Sequence, residues 1–201
     1  PGFRVGFELF ESANHELAMR SLASFARRLG FDDDAFRTCH DPISPGHQCT
    51  VRLLHYLPLG PEGPAPGEWR AGAHTDFDCL TLLHQLPGNA GLQVCPGADV
   101  GAGTGELGWT DVEPRRGVIT CNIGDMLMRW SDDRLRSTLH RVRMPRPDEG
   151  DGPRYSIAYF AQADREAVIT GPLGRYAPIT AGDYLAERIA ANFGGDDPDS
   201  A

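Results

Sequence analysis

The sequence predicts a mainly β protein, a sandwich or barrel with helices at its flanks, and three observations carry that expectation. From Val51 onward the chain breaks into short β-rich runs: "TVRLLHY", "LTLLHQL", "GLQVC", "GWTDV", "GVITCNI", "DMLMRW", "STLHRVRM" and "RYSIAYF". Turn signals rich in Gly, Pro and Asp separate them, as in "LPGNAG", "EPRRG", "NIGD" and "RPDEGDGP". The two helical patterns lie towards the ends of the chain instead of alternating with the strands, as βα units would require.

The first of those patterns is "SANHELAMRSLASFARRLG", where Ala18, Leu22, Phe25, Ala26 and Leu29 recur at helical spacing and form one apolar stripe. Ser12 is placed to cap its N-terminus, Arg27 and Arg28 suit the negative end of the helix dipole, and Gly30 suits the C′ position. Between the strands, "LPLGPEGPAPGEWR" and "CPGADVGAGTGELG" read as surface loops. The last helix is expected in "TAGDYLAERIAANFGG", with Thr180 and Asp183 as a capping box and Leu185, Ile189 and Phe193 on one side; the tail "DDPDSA" is expected to fray. These elements divide the chain into helical support over residues 1–50, a β core over 51–170 and a C-terminal helix and tail over 171–201, all in one domain.

Composition narrows the function classes. A chain of 201 residues can bury a substantial core, and its apolar fraction of 40% is that of an ordinary water-soluble protein, with no window of membrane-spanning length. A net charge of −9 without a Lys/Arg cluster argues against nucleic acid and anionic membrane as partners. The five cysteines are odd in number, scattered, and never in a C-x-x-C pair, which fits a reducing compartment and hence the cytoplasm. The chain opens on Pro1-Gly2 instead of Met, and whether a segment precedes it is not legible. Oligomeric state is not legible.

Of the seven histidines, His15, His40 and His47 sit in a helix start or a polar loop, while His55 and His84 lie inside strands where packing accounts for them. His74 and Asp76 differ because of their spacing. Residues i and i+2 of a strand share a face, so an imidazole and a carboxylate can converge on one ion. His140, in "RLRSTLHRVRM", supplies a third ligand from a distant strand. Two histidines and one carboxylate on one side of an ion form the facial triad of non-haem Fe(II) oxygenases, and the same set also occurs in zinc hydrolases. In "RYSIAYF", Arg154 and Ser156 share a face with Ala158 and Phe160; a guanidinium on such an apolar face requires an anion, either a protein carboxylate or that of a ligand.

Taken in order, "VRLLHYLP", "GAHTDFDCLTLLHQ", "GLQV", "GVITCNIGDMLMRWSDDRLRSTLHRV" and "RYSIAYF" resemble the isopenicillin-N-synthase-like 2-oxoglutarate/Fe(II) dioxygenases, over most of the stretch from Val51 to Phe160. The resemblance implies a double-stranded β-helix, that is, a jelly roll with iron at its mouth. It makes His74, Asp76 and His140 the iron ligands and Arg154 and Ser156 the grip on the distal carboxylate of 2-oxoglutarate, with Tyr56 touching the same co-substrate. Phe77, Leu139 and Phe160 adjoin these residues and are candidates for the substrate pocket, whereas "NIGD" (122–125) reads as a conformational turn. The implied reaction takes 2-oxoglutarate and O2 to succinate and CO2 while a C–H bond of a small organic substrate is oxidised, most simply by hydroxylation. Two alternatives on the same fold are an Fe(II) oxidase or cyclase that does not use 2-oxoglutarate and a catalytically silent binding protein.

Overall fold

The computed structural model describes residues 2–60, 62–65, 67–95 and 108–193; most of the second expected loop and the C-terminal tail lie outside these residues. In chain order the elements are α1 (Gly2–Leu29), a 3-10 turn (Arg37–Cys39), β1 (Thr50–Tyr56), β2 (Ala71–His74), β3 (Leu80–Gln85), β4 (Leu92–Cys95), β5 (Thr110–Asp111), β6 (Ile119–Ile123), α2 (Asp125–Trp130), β7 (Leu139–Val142), β8 (Arg154–Ala161), β9 (Val168–Ile169), β10 (Ile179–Thr180) and α3 (Ala181–Phe193).

The chain switches repeatedly between two four-stranded antiparallel sheets, one in the order β1-β8-β3-β6 and the other in the order β2-β7-β4-β5. This alternation produces a jelly roll, as the resemblance implied. A small third pair, β9 with β10, leads into α3, whose start carries the expected capping box: Asp183 N–H donates to Thr180 Oγ1 (3.1 Å) and Thr180 donates to Asp183 Oδ2 (2.7 Å).

Register gives each face of the first sheet a composition. Cross-strand partners point to the same side, so Tyr56 shares a face with Arg154, Leu54 with Ser156 and Gln85, Arg52 with Ala158, Leu83 and Thr120, and Thr50 with Phe160, Thr81 and Asn122. This face is the inner wall of the roll and carries its polar groups. The opposite face, with Leu80, Leu82, Tyr159 and Ala161, packs beneath the stripe Ala18, Met19, Leu22, Ala26 and Leu29 of α1, and all of these are buried. The main apolar core therefore lies behind the sheet, between it and α1, which leaves the inside of the roll for chemistry. Withdrawing a side chain such as Leu22 from water contributes about 2 kcal/mol.

Two elements differ from expectation. Helix α1 begins at Gly2, ten residues before the expected cap at Ser12. The spacing Phe3, Phe7, Phe10 continues the helical period upstream, with Phe3 and Phe7 stacked at 6.2 Å and Phe10 against His84 at 4.8 Å. The run "DMLMRW" forms helix α2 instead of a strand. Its free N-terminal amides are taken by carbonyls distant in sequence: Asp125 N–H donates to Asp76 O (2.8 Å) and Met126 N–H to Asp78 O (3.1 Å). Gly124 is required at this junction for space, since a Cβ there would lie 2.3 Å from the Asp78 carbonyl oxygen.

Candidate metal centre

His74 ends β2 and is the direct cross-strand partner of His140 on β7, with ring centroids 4.3 Å apart. Asp76 follows after the strand has ended, so the same-face rule for positions i and i+2 is not what brings it in. The segment after His74 turns under the N-terminus of α2, and the amide contacts just described hold it there. Asp76 Oδ1 then lies 3.9 Å from His74 Nε2 and 3.7 Å from His140 Nε2, and one ligand atom from each residue falls within 4.8 Å of the others. These separations are too long for hydrogen bonds. Two ligand bonds of about 2.1 Å span up to about 4.2 Å, so a single ion fits between the carboxylate and each ring.

The protons on the two rings are arranged for the same purpose. His74 Nδ1 lies 2.8 Å from Gly72 O and His140 Nδ1 lies 2.9 Å from Thr138 O. A carbonyl only accepts, so the proton sits on Nδ1 and each Nε2 turns its lone pair towards Asp76. Desolvation and the neighbouring His140 pull the His74 pKa below its ordinary value, which favours the neutral ring that a cation needs. The His74 side chain remains 43% exposed and His140 only 13%, so the open side of the site lies at His74.

The second oxygen of Asp76 is fully engaged. Oδ2 accepts from Thr81 Oγ1 (2.6 Å) and from Asn122 Nδ2 (2.8 Å), and this leaves Oδ1 free for the ion. Thr81 also lies 3.0 Å from Oδ2 of Asp78, a fully buried residue whose pKa is pushed well up by burial and by the Asp76 and Asp125 charges. One hydroxyl proton cannot serve both acids. With Asp78 protonated, Asp78 donates to Thr81 and Thr81 to Asp76, which satisfies the chain of three. The reading of "NIGD" as a conformational turn holds for Gly124 and is corrected at Asn122, which orients the carboxylate. Asn122→Ala is expected to weaken Fe(II) affinity by about 10-fold, the lower end for loss of a group that orients a ligand; competition against a coloured chelator measures it.

At the other end of the inner wall Arg154 is 1% exposed. Neutral acceptors hold it: Nε donates to Asn89 O (3.1 Å), Nη1 to Ser156 Oγ (3.3 Å) and Nη2 to Gln85 Oε1 (2.8 Å), with the Tyr56 ring 4.9 Å from the guanidinium carbon. Three of its five N–H groups are thereby used, and the Tyr56 hydroxyl is a further hydrogen-bond partner of the guanidinium. Among the described residues no carboxylate pairs with it, and burial pulls its pKa below that of a free arginine. Of the two sources of an anion considered for this guanidinium, the described residues contain no protein carboxylate for it. Of the pocket candidates, Phe160 lies on the inner wall in the row of Thr81, and Phe77 lies under the Arg188 guanidinium of α3 at 5.3 Å. Leu139 is a correction: it neighbours His140 in the strand, so it points to the opposite face of β7, where it is 1% exposed.

A family model, the 2OG-Fe(II) oxygenase superfamily, matches residues 47–163, which include every residue of this centre. The chain belongs to that superfamily. It is 35% identical over 200 residues to the 2-oxoglutarate-Fe(II) type oxidoreductase hxnY of Emericella nidulans, covering 96% of this chain and 53% of that one. It is 34% identical over 175 residues to the proline hydroxylase buaE of Petromyces alliaceus, covering 84% of this chain and 50% of the relative. The crystal structure of a full-length Neurospora crassa protein in complex with alpha-KG and thymine superposes with a TM-score of 0.78 at 33% identity, over 96% of this chain and 57% of that one. The chain thus spans about half the length of the curated relatives it matches.

The residues of this superfamily member fit the metal and the oxo acid that the family name announces: a carboxylate with one free oxygen between two Nε2 lone pairs, and a buried guanidinium with only neutral partners among the described residues. The site residues not singled out from the sequence are Thr81, Gln85 and Asn122. Strand alternation in "LTLLHQ" places Thr81 and Gln85 on one face, and polar side chains facing inward in a buried strand are the signal that identifies them. No helix among the described residues is long and apolar enough to cross a membrane.

Proposed function

We propose that this chain is the catalytic core of an Fe(II)- and 2-oxoglutarate-dependent dioxygenase that hydroxylates a small organic molecule, releasing succinate and CO2. His74, Asp76 and His140 hold the iron, Arg154 and Ser156 take the distal carboxylate of 2-oxoglutarate, and Tyr56 covers that end. The observation that carries this reading is the pairing, inside one roll, of an oriented His-Asp-His set with a buried arginine that has only neutral partners among the described residues. The proline hydroxylase among the relatives supports hydroxylation as the outcome. Five free cysteines support a reducing, cytoplasmic setting.

Bound iron supplies the oxidation of an unactivated C–H bond by O2, coupled to decarboxylation of the oxo acid. The protein's part is positional. Gly72 O and Thr138 O fix the tautomers of the two imidazoles, while Thr81 and Asn122 fix which carboxylate oxygen faces the ion. Arg154, held by Gln85 and Asn89, sets the orientation of the oxo acid before the substrate arrives.

The test is an anaerobic titration of 2-oxoglutarate into the Fe(II)-loaded protein, followed by visible absorption. A saturable metal-to-ligand charge-transfer band is the expected result. Its absence from a folded, iron-replete sample overturns the proposal.

A further inference from the structure

One cation on the inner wall is used by nothing described so far. Arg52 lies on β1, the edge strand of the first sheet, in register with Ala158, and so faces the same cavity as Arg154, Ser156 and Phe160. Its row falls between the end that receives Asp76 and the end that holds Arg154. The Arg52 guanidinium carbon stands 5.0 Å from the centre of the Phe160 ring. Resting on a ring face directs its N–H edges sideways into solvent, where they are free to donate. The side chain is exposed, and among the described residues no carboxylate or carbonyl pairs with it. Arg141, in contrast, is sandwiched between Trp69 and Trp109 and donates to Gln93, while Arg129 rests on Tyr176 and donates to Ala177 O.

The charges around the site show what that cation lacks. A divalent iron, the Asp76 carboxylate, the two carboxylates of 2-oxoglutarate and the Arg154 guanidinium together sum to neutrality. Arg52 is then left over, exposed beside the open side of the site.

We propose that Arg52 binds a carboxylate of the prime substrate, so that the enzyme acts on organic acids and holds them with the reacting carbon turned towards the iron. This rests on the dioxygenase reading, since it presupposes the positions assigned to iron and 2-oxoglutarate. Phe160, which supports the guanidinium and lies in the row of Thr81, forms the apolar floor beneath the substrate's carbon skeleton.

The experiment uses protein loaded with Fe(II) and 2-oxoglutarate without oxygen, and titrates L-proline, benzoate and hexanoate, each against its primary amide. The readouts are perturbation of the charge-transfer band and, after admission of air, succinate release. At least one acid is expected to act at a concentration 10-fold or more below that of its amide. Arg52→Ala is expected to abolish that preference while its half-saturation by 2-oxoglutarate stays within about 2-fold of the parent, and Arg52→Lys to keep part of the preference. Amides as effective as acids, a preference that survives in Arg52→Ala, or a set in which no acid perturbs the centre each overturn the assignment. Failure of the underlying reading shows itself earlier, as no band when 2-oxoglutarate is added.

Discussion

Asp76→Ala is expected to abolish stable iron binding and to lower succinate formation by at least about 10³-fold, the largest effect of any single change in the chain. Asp76 is the one anionic member of the His74, Asp76, His140 set, and without it a divalent ion meets two neutral imidazoles and water. The loss extends further, because Asn122 donates to the same carboxylate and would be left aimed at a void, whereas Thr81 keeps Asp78 as a partner. The fold is expected to survive, since it is the Asp76 backbone carbonyl, unchanged by the substitution, that accepts from Asp125 N–H and anchors α2. Removing a carboxylate also relieves its repulsion of the buried Asp78. Iron stoichiometry after gel filtration, read beside circular dichroism, checks both halves of the prediction.

Arg154→Ala is expected to raise the KM for 2-oxoglutarate by about 100-fold with iron content unchanged. Two charge-assisted hydrogen bonds at about 1.5 kcal/mol each amount to about 3 kcal/mol, or roughly two powers of ten. Arg154→Lys recovers only part of this, because an ammonium cannot reproduce the planar fork, and neither Gln85 Oε1 nor Asn89 O then has a donor at the right angle. A drop in iron content in Arg154→Ala would contradict the separation of the two ends of the site. Steady-state kinetics over a range of 2-oxoglutarate concentrations, with iron assayed in parallel, provides the check.

Much of this molecule was legible residue by residue. The short β-rich runs from "TVRLLHY" to "RYSIAYF" and the turns between them marked most of the strands, the Ala18–Leu22–Ala26–Leu29 stripe marked the helix behind the sheet, and Thr180 with Asp183 marked the start of α3. Short elements were the hardest to read. Six residues of "DMLMRW" are too few for a helical period to stand out against alternation, and what decides the matter is the supply of carbonyls from residues 76 and 78 to the free amides of α2. The start of α1 was missed for a different reason: Gly2 and Gly6 mask a phenylalanine spacing that was there to be counted.

For the site, residue type and spacing singled out His74, Asp76, His140, Arg154 and Ser156 as candidates, because the chemistry of a facial triad and of a carboxylate grip restricts which side chains can serve, while Tyr56 came from the family resemblance alone. The tertiary structure alone decided how they meet. Asp76 is delivered by a turn lodged under a helix N-terminus, its oxygen is selected by Thr81 and Asn122 from two other strands, and Arg154 is aimed by Gln85 across a strand pairing 69 positions apart in sequence. Local preference acts over a few residues, whereas these contacts depend on register between strands that are distant in the chain, and register is settled only when both faces of the sheet are packed.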